Sequence, residues 1–341
     1  MDSLGKEYVR QNIQLNLISG GFYPLMAMFT NLSLAIILYF GGRMTIWASI
    51  SPGDFVAFLS YLGLLTWPMM ALGWMTDLLQ RGAAGMDRIN SVLDQAPDIT
   101  DPLDPVPLPV VHGGITIKNL SFSYLGRDLK AVDEVNLDCP AGKITAIVGR
   151  TGAGKSTLLN LVPRLFDPPP GTIFIDGVDV RTVKLADLRS AIGYVPQDGY
   201  IFSGTIAENI AFGRPDADET SIRAAARAAQ IEEEIETMPQ GYQTTIGERG
   251  LTLSGGQRQR LSLARALLLE PPILILDDTF SALDADAEER ILAQIAQTRA
   301  GLTPLIVSHR LTSLKIADLI PIIDQGRVTE SGTHEELLTG D

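Results

Sequence analysis

Charged side chains are missing from two long stretches of this chain, residues 11–42 and 55–76. A helix needs about 20 predominantly apolar residues to cross a bilayer, and both stretches exceed that. Buried helices of a soluble core would break such runs with charge, and a cleaved signal peptide would be shorter and would stand alone. The pattern therefore predicts an all-α transmembrane hairpin with spans at about 18–42 and 55–78. Its tip is the turn-rich RMTIWASISPGD, with Trp47 at the membrane interface. Lysines and arginines near span ends set orientation. Lys6, Arg10, Arg81 and Arg88 flank the open end and Arg43 alone marks the tip, which puts both ends of the hairpin in the cytoplasm.

Beyond the hairpin the pattern changes twice. DRINSVLDQAP reads as a polar helix leaving the membrane, so the membrane unit and its cytosolic extension occupy residues 1–95. Residues 96–113 carry five prolines, which cannot continue a helix, and read as an extended linker. Over residues 114–341, short β-branched runs such as ITIKNLSFSY, KITAIVG and TIFIDG alternate with helical stretches. That is the pattern of an α/β domain built on a mixed, largely parallel sheet. The net charge of −13 speaks against nucleic acid as a partner, because such binding rests on basic residues neutralising phosphates. A single cysteine, Cys139, excludes an internal disulfide and reads as a small core residue.

Two motifs carry chemistry. KITAIVGRTGAGKSTLLNLV is a strand, a glycine-rich loop and a helix start, and Gly149 to Ser156 fits G-x-x-x-x-G-K-[ST]. Such a loop wraps phosphate oxygens with the backbone N–H groups of Gly149, Arg150, Thr151, Gly152, Ala153 and Gly154, ahead of a helix whose dipole favours the same anion. Lys155 would reach the β- and γ-phosphates, Ser156 would ligate Mg²⁺, and Thr157 follows in the helix. The second motif is ILILDD. Its apolar run predicts a central strand covered on both faces, with Asp277 emerging at the sheet edge to hold Mg²⁺ through water. A nucleotide and Mg²⁺ are the expected ligands, and the resemblance that follows makes the nucleotide ATP.

LSGGQRQRLSLARALL, residues Leu253 to Leu268, resembles the signature motif of ATP-binding-cassette (ABC) proteins. The resemblance implies an α/β P-loop NTPase of the ABC type, with a helical subdomain at about 198–268. In that family the signature, here Ser254, Gly255, Gly256 and Gln257, closes over ATP held by a facing cassette. Tyr124 resembles the aromatic that stacks on adenine, and Gln197 the glutamine that senses Mg²⁺ and contacts the membrane helices. TTIGERG, residues 244–250, resembles the loop that meets the coupling helices of exporters. SALD, residues 281–284, resembles the loop that crosses to the opposite cassette, and His309 the switch histidine on the γ-phosphate. His112 and His334 read as surface residues. Residues 1–95 resemble only the last two membrane helices of an exporter half-transporter, which predicts either a fragment, the favoured case, or further spans on another polypeptide.

The second aspartate departs from the family. Its position usually holds the glutamate that deprotonates the attacking water, and here it is Asp278. Basicity is kept but reach is lost, so the expectation is a site that binds ATP well and hydrolyses it slowly. Thr279 and Phe280 also stand where smaller or hydroxylic residues are usual, whereas the signature is intact. The combination resembles the degenerate-site subunit of a heterodimeric exporter, partnered by a second ABC half-transporter. A homodimer with two slow sites and a regulatory ATP-binding membrane subunit are the alternatives, and a soluble cassette is disfavoured by the two spans. The expected location is the inner or plasma membrane, multi-pass, with the cassette cytoplasmic. TWPMMALGWM, residues 66–75, would suit a small-molecule or lipid-like hydrophobic cargo.

Overall fold

The computed structural model describes residues 2–247, 253–297 and 301–339, and the chain forms two units, Met1–Ala96 and Pro97–Asp341. In the first unit α1 (Asp2–Ile36) passes through a π-helical turn, Ile37–Gly41, into α2 (Gly42–Ile46), and α3 (Pro52–Leu93) follows. The first helical run thus extends to Ile46, past the span end expected at residue 42. Nothing in GGRMTI stops a helix, and the stop comes at Ala48, whose φ of 55° is left-handed. Arg43 consequently lies within the helix, its guanidinium 4.5 Å from the Trp47 ring centre. The chain restarts at Ser51, which accepts from the Asp54 N–H while Asp54 caps back, with Pro52 in the first turn. The apolar segments Pro24–Ile46 and Pro52–Leu93 each reach a mean hydropathy of 1.7 and bury none of it within the protein. The polar end of α3 is marked by the Arg81–Asp77 ion pair.

The second unit begins with β1 (Ile115–Phe122), β2 (Val132–Cys139) and β3 (Thr145–Ile147), then α4 (Lys155–Leu161). Next come β4 (Ile173–Ile175), β5 (Val178–Asp179), α5 (Leu185–Ser190) and β6 (Ile192–Val195). A mostly helical stretch follows: β7 (Gly204–Thr205), α6 (Ile206–Ile210), α7 (Glu219–Ala228), α8 (Glu232–Thr237), β8 (Thr245–Ile246) and α9 (Gly255–Leu267). The chain returns through β9 (Ile273–Asp277), α10 (Ala285–Gln297), β10 (Thr303–Val307) and α11 (Leu311–Ile316). It ends with β11 (Ile320–Asp324), β12 (Arg327–Gly332) and α12 (His334–Thr339).

The central sheet has the order β3-β10-β9-β6 with every pairing parallel. A second sheet, β2-β1-β4-β5, is antiparallel throughout. ITIKNLSFSY therefore belongs to the antiparallel layer. Strand β1 is followed at once by β2, and a connection that short permits only antiparallel pairing.

The apolar run ILIL is explained by the two cores it separates. Ile273 and Ile275 join the cluster that holds α4 and the antiparallel sheet, whereas Leu274 and Leu276 join the cluster under α6 to α10. Alternate side chains of one strand thus face opposite layers, and both layers are apolar. Each such buried side chain contributes about 1.5–3 kcal/mol relative to exposure. Cys139 lies in the first cluster, and burial pushes its thiol up to about 12.

The proline-rich segment is extended, but it is stitched to the second unit and does not hang free. The Arg164 guanidinium donates to the Thr100 carbonyl at 3.2 Å, and the Leu185 N–H at the start of α5 donates to the Asp101 carboxylate at 2.7 Å. Val106 bonds to Thr182, and the Asp176 carboxylate accepts the N–H groups of His112, Gly113 and Gly114.

Candidate nucleotide site

Parallel pairing brings the C-terminal ends of β3, β10, β9 and β6 to one edge of the sheet. Each end leads into a singled-out residue: the glycine loop after β3, Gln197 after β6, Asp277 and Asp278 at β9, and His309 after β10. A cavity of about 1270 Å³ opens there. Its walls include Tyr124, Thr151, Lys155, Ser156, Gln197, Asp277, Asp278 and His309.

The loop geometry explains its residues. Gly154 has φ 104°, and a Cβ there would stand 2.3 Å from the Ala131 carbonyl oxygen, so no other residue fits. The start of α4 has no side-chain cap, which leaves its first-turn N–H groups available to an anion. Lys155 folds its Nζ back on the carbonyls of Gly149, at 2.6 Å, and Arg150, at 3.0 Å. Burial holds the Lys155 pKa below its usual value, opposed by the nearby Asp277 and Asp278 carboxylates.

Ser156 Oγ donates to Asp277 Oδ1 at 3.0 Å. Burial raises the Asp277 pKa, the Ser156 hydrogen bond lowers it, the Asp278 charge raises it, and Lys155 lowers it. A hydroxyl and a carboxylate in contact, with the Gln197 amide on the same wall, form a set of hard oxygen donors that fits Mg²⁺. Gln197 Nε2 donates to Asp278 Oδ2 at 3.1 Å. Asp278 itself has φ 47°, a left-handed backbone that aspartate tolerates better than most residues.

Tyr124 reaches the cavity with its hydroxyl 3.0 Å from Thr157 Oγ1 and its ring edge-on to Phe122 and Phe166. His309 is exposed on the cavity wall, while His112 is exposed and His334 half-buried elsewhere. Thr279 and Phe280 are buried, Phe280 within the core under α6 to α10, so their identities answer to packing. Arg127, Lys130, Asp133 and Gln325 also line the cavity, although no motif points to them; the charged GRDLK run between Tyr124 and β2 is the only sequence signal.

Ser254, Gly255 and Gly256 do not line this cavity. They border a separate hollow of about 330 Å³ with Arg260, Ala282, Leu283 and Asp284. Ser254 caps α9 by accepting from the Gln257 N–H at 3.2 Å, and Gln257 Oε1 accepts the Ser254 N–H at 2.8 Å. Of the expected coupling loop at 244–250, residues 248–250 lie outside the described residues.

The ABC transporter profile matches residues 132–281, and that of the ABC transporter transmembrane region matches residues 4–69. A Bacillus subtilis protein described as a "Probable multidrug resistance ABC transporter ATP-binding/permease protein" is 38% identical over 329 residues, 96% of this chain and 56% of that protein. The ATP-dependent lipid A-core flippase of Syntrophus aciditrophicus is 41% identical over 328 residues, 96% of this chain and 54% of that protein. The solved structure of a bacterial Atm1-family ABC exporter with ATP bound matches with a TM-score of 0.80 and 35% identity, covering 98% of this chain and 57% of that one. The chain thus spans a little over half the length of these relatives.

Proposed function

The chain belongs to the ABC transporter family, with a stretch matching its transmembrane region followed by its ATP-binding cassette, and from that premise we propose that it is the ATP-binding and permease subunit of an exporter. Such a subunit would couple ATP binding and hydrolysis to efflux of an apolar or lipid-like substrate. The relatives' descriptions as multidrug and lipid A-core transporters support that substrate class. The observation that carries the reading is the separation of the two groups of candidate nucleotide contacts. Lys155 and Asp277 line one cavity, while Ser254 to Gly256 line another. A nucleotide in the first is completed by the signature of a facing cassette.

The chain's own groups then divide the work. Amides of the glycine loop and of the uncapped start of α4 cradle phosphate oxygens and Lys155 neutralises them. Ser156, Asp277 and Gln197 would hold Mg²⁺, which when bound offsets the negative charge of the phosphates. Asp278 accepts the proton of the attacking water, and His309 donates to the γ-phosphate. One methylene shorter than glutamate, and engaged by Gln197, the Asp278 carboxylate falls short of the water by about 1–1.5 Å, and such a misplacement costs on the order of 10²-fold in rate. This site is slow, and the intact signature serves the faster site of a second half-transporter.

One observation favours a second reading, a homodimer with two equal slow sites. The left-handed backbone at Asp278 gives aspartate a local reason to be there, independent of any division between partners. In either case the spans lie in the inner or plasma membrane within a multi-pass assembly, and the cassette is cytoplasmic. Measuring turnover and ATP binding of the full assembly carrying Ser254→Arg tests the proposal. Turnover is expected to collapse while this chain still binds ATP, and unchanged turnover would remove the shared site.

A further inference from the structure

Outside the cavity, one group of contacts ties together segments that the mechanism above uses separately. Arg310 follows His309 directly, and its guanidinium donates to Glu288 Oε2 at 2.7 Å and to the Leu283 carbonyl at 2.9 Å, with a longer contact to the Ser281 carbonyl at 3.4 Å. Glu288 is fully buried in α10. Its other carboxylate oxygen accepts from Thr312 Oγ1 at 2.5 Å and Ser313 Oγ at 2.9 Å. A buried carboxylate satisfied on both oxygens is a fixed anchor, and the planar Arg fork transfers that fixity to the loop carbonyls.

The same loop is held from the opposite side by the signature helix. Gln259 Oε1 accepts the Ala282 N–H at 3.0 Å, and Gln259 Nε2 donates to Ser281 Oγ at 3.0 Å. Contact is close as well: a Cβ on Gly256 would stand 3.0 Å from the Ala282 carbonyl oxygen, and one on Gly255 would stand 3.3 Å from the Ala282 Cβ. The first turn of α9 therefore rests on residue 282 with no slack.

We propose that Arg310, anchored on Glu288, and Gln259 are positioning residues that clamp the 281–284 loop between His309 and the signature, so that both ends of the clamp move as one body. The proposal rests on the shared-site reading. It makes the state of this chain's own γ-phosphate contact felt at the signature it lends to the facing site. Neither residue lines the nucleotide cavity, so neither is a catalytic residue.

The test uses the full assembly with three versions of this chain: Gln259→Ala, Arg310→Lys and the double variant. Arg310→Lys keeps the charge beside Glu288 but loses the fork to the carbonyls, which guards against simple misfolding. Hydrogen–deuterium exchange is measured without nucleotide, and the Hill coefficient of ATP hydrolysis is measured with Mg²⁺. Arg310→Lys is expected to speed exchange severalfold not only in residues 279–285 but also in residues 253–258. The Hill coefficient should fall toward one in each single variant, with the double no lower than the worse single. Faster exchange confined to 279–285, with cooperativity kept, overturns the clamp and leaves the shared site standing. A wild-type assembly with a Hill coefficient of one also overturns the clamp, whereas the shared site beneath it falls only if Ser254→Arg leaves turnover unchanged.

Discussion

Two helices of this chain begin at glycine-bearing turns, and they are built in opposite ways. α4 starts at Gly154 with no side-chain cap, beside a buried lysine and two carboxylates. α9 starts at Ser254 with its cap closed in both directions by Gln257, which is itself held by Glu234 at 2.9 Å, while Arg260 pairs with Glu234 at 2.6 Å. The first start leaves its amides unsatisfied and surrounds them with charge. It can grip phosphate strongly, because hydrogen bonds to charged groups are worth about 1.5–3 kcal/mol each. The second is already satisfied and stable by itself, so it offers a preformed surface and little grip. On the proposed reading, one end of the cassette captures nucleotide and the other closes over nucleotide held by a facing cassette.

The sharpest way to break this comparison is Lys155→Ala. Removing the lysine of the glycine loop should weaken ATP binding to this chain by on the order of 10²-fold in a calorimetric titration, since charge-assisted hydrogen bonds to the phosphates are lost. Next is Ser254→Arg, which puts bulk and charge on the closing surface. Turnover by phosphate release should fall by on the order of 10²-fold while titration shows ATP binding to this chain preserved, the loss expected when a donor at the reacting phosphate is removed. Asp278→Glu should act in the other direction, raising turnover of this site roughly tenfold or more as the carboxylate regains its reach. No gain would count against lost reach at Asp278 as the cause of a slow site.

Ser254→Ala removes the cap of α9. It should cost about 1 kcal/mol, a fall of roughly 2–4 °C in Tm, with nucleotide binding at Lys155 unchanged. The smallest effect is electrostatic. Hydrogen bonds from Lys130 and then Arg327 lower the Asp133 carboxyl from 3.8 to about 2. A depressed carboxylate adds stability above its unfolded pKa and loses it as pH falls through the folded one. Asp133→Asn should therefore change Tm slightly at neutral pH and flatten the acid limb between about pH 4 and 2, read by thermal scans across that window.

How far the sequence carried this picture depends on whether a feature is local. The phosphate loop, the strand ending at Asp277 and the first turn of α9 are each written in consecutive residues, and each takes the form its pattern predicts. The two faces of ILIL were legible as uniform apolarity, though not which core each side chain joins. Docking of the proline segment was not legible, because its partners Arg164, Asp176 and Leu185 lie more than 60 positions away. The Arg310–Glu288 pair hides for a different reason, since only 22 positions separate the two: a glutamate inside a helix with a polar face reads as solvated until the fold buries it. Phe280 shows the converse case: set against the family pattern it reads as a departure next to the site, and its burial gives it a packing role that the sequence did not reveal.

The central claim is that ATP is shared between two cassettes, and it is tested most directly by a cryo-EM map of the full assembly trapped with ATP and Mg²⁺. The account predicts the γ-phosphate within hydrogen-bond reach of Lys155 from one cassette and of a signature N–H or serine hydroxyl from the facing cassette. A map with nucleotide enclosed by residues of one chain alone, and no opposing signature near it, would contradict it.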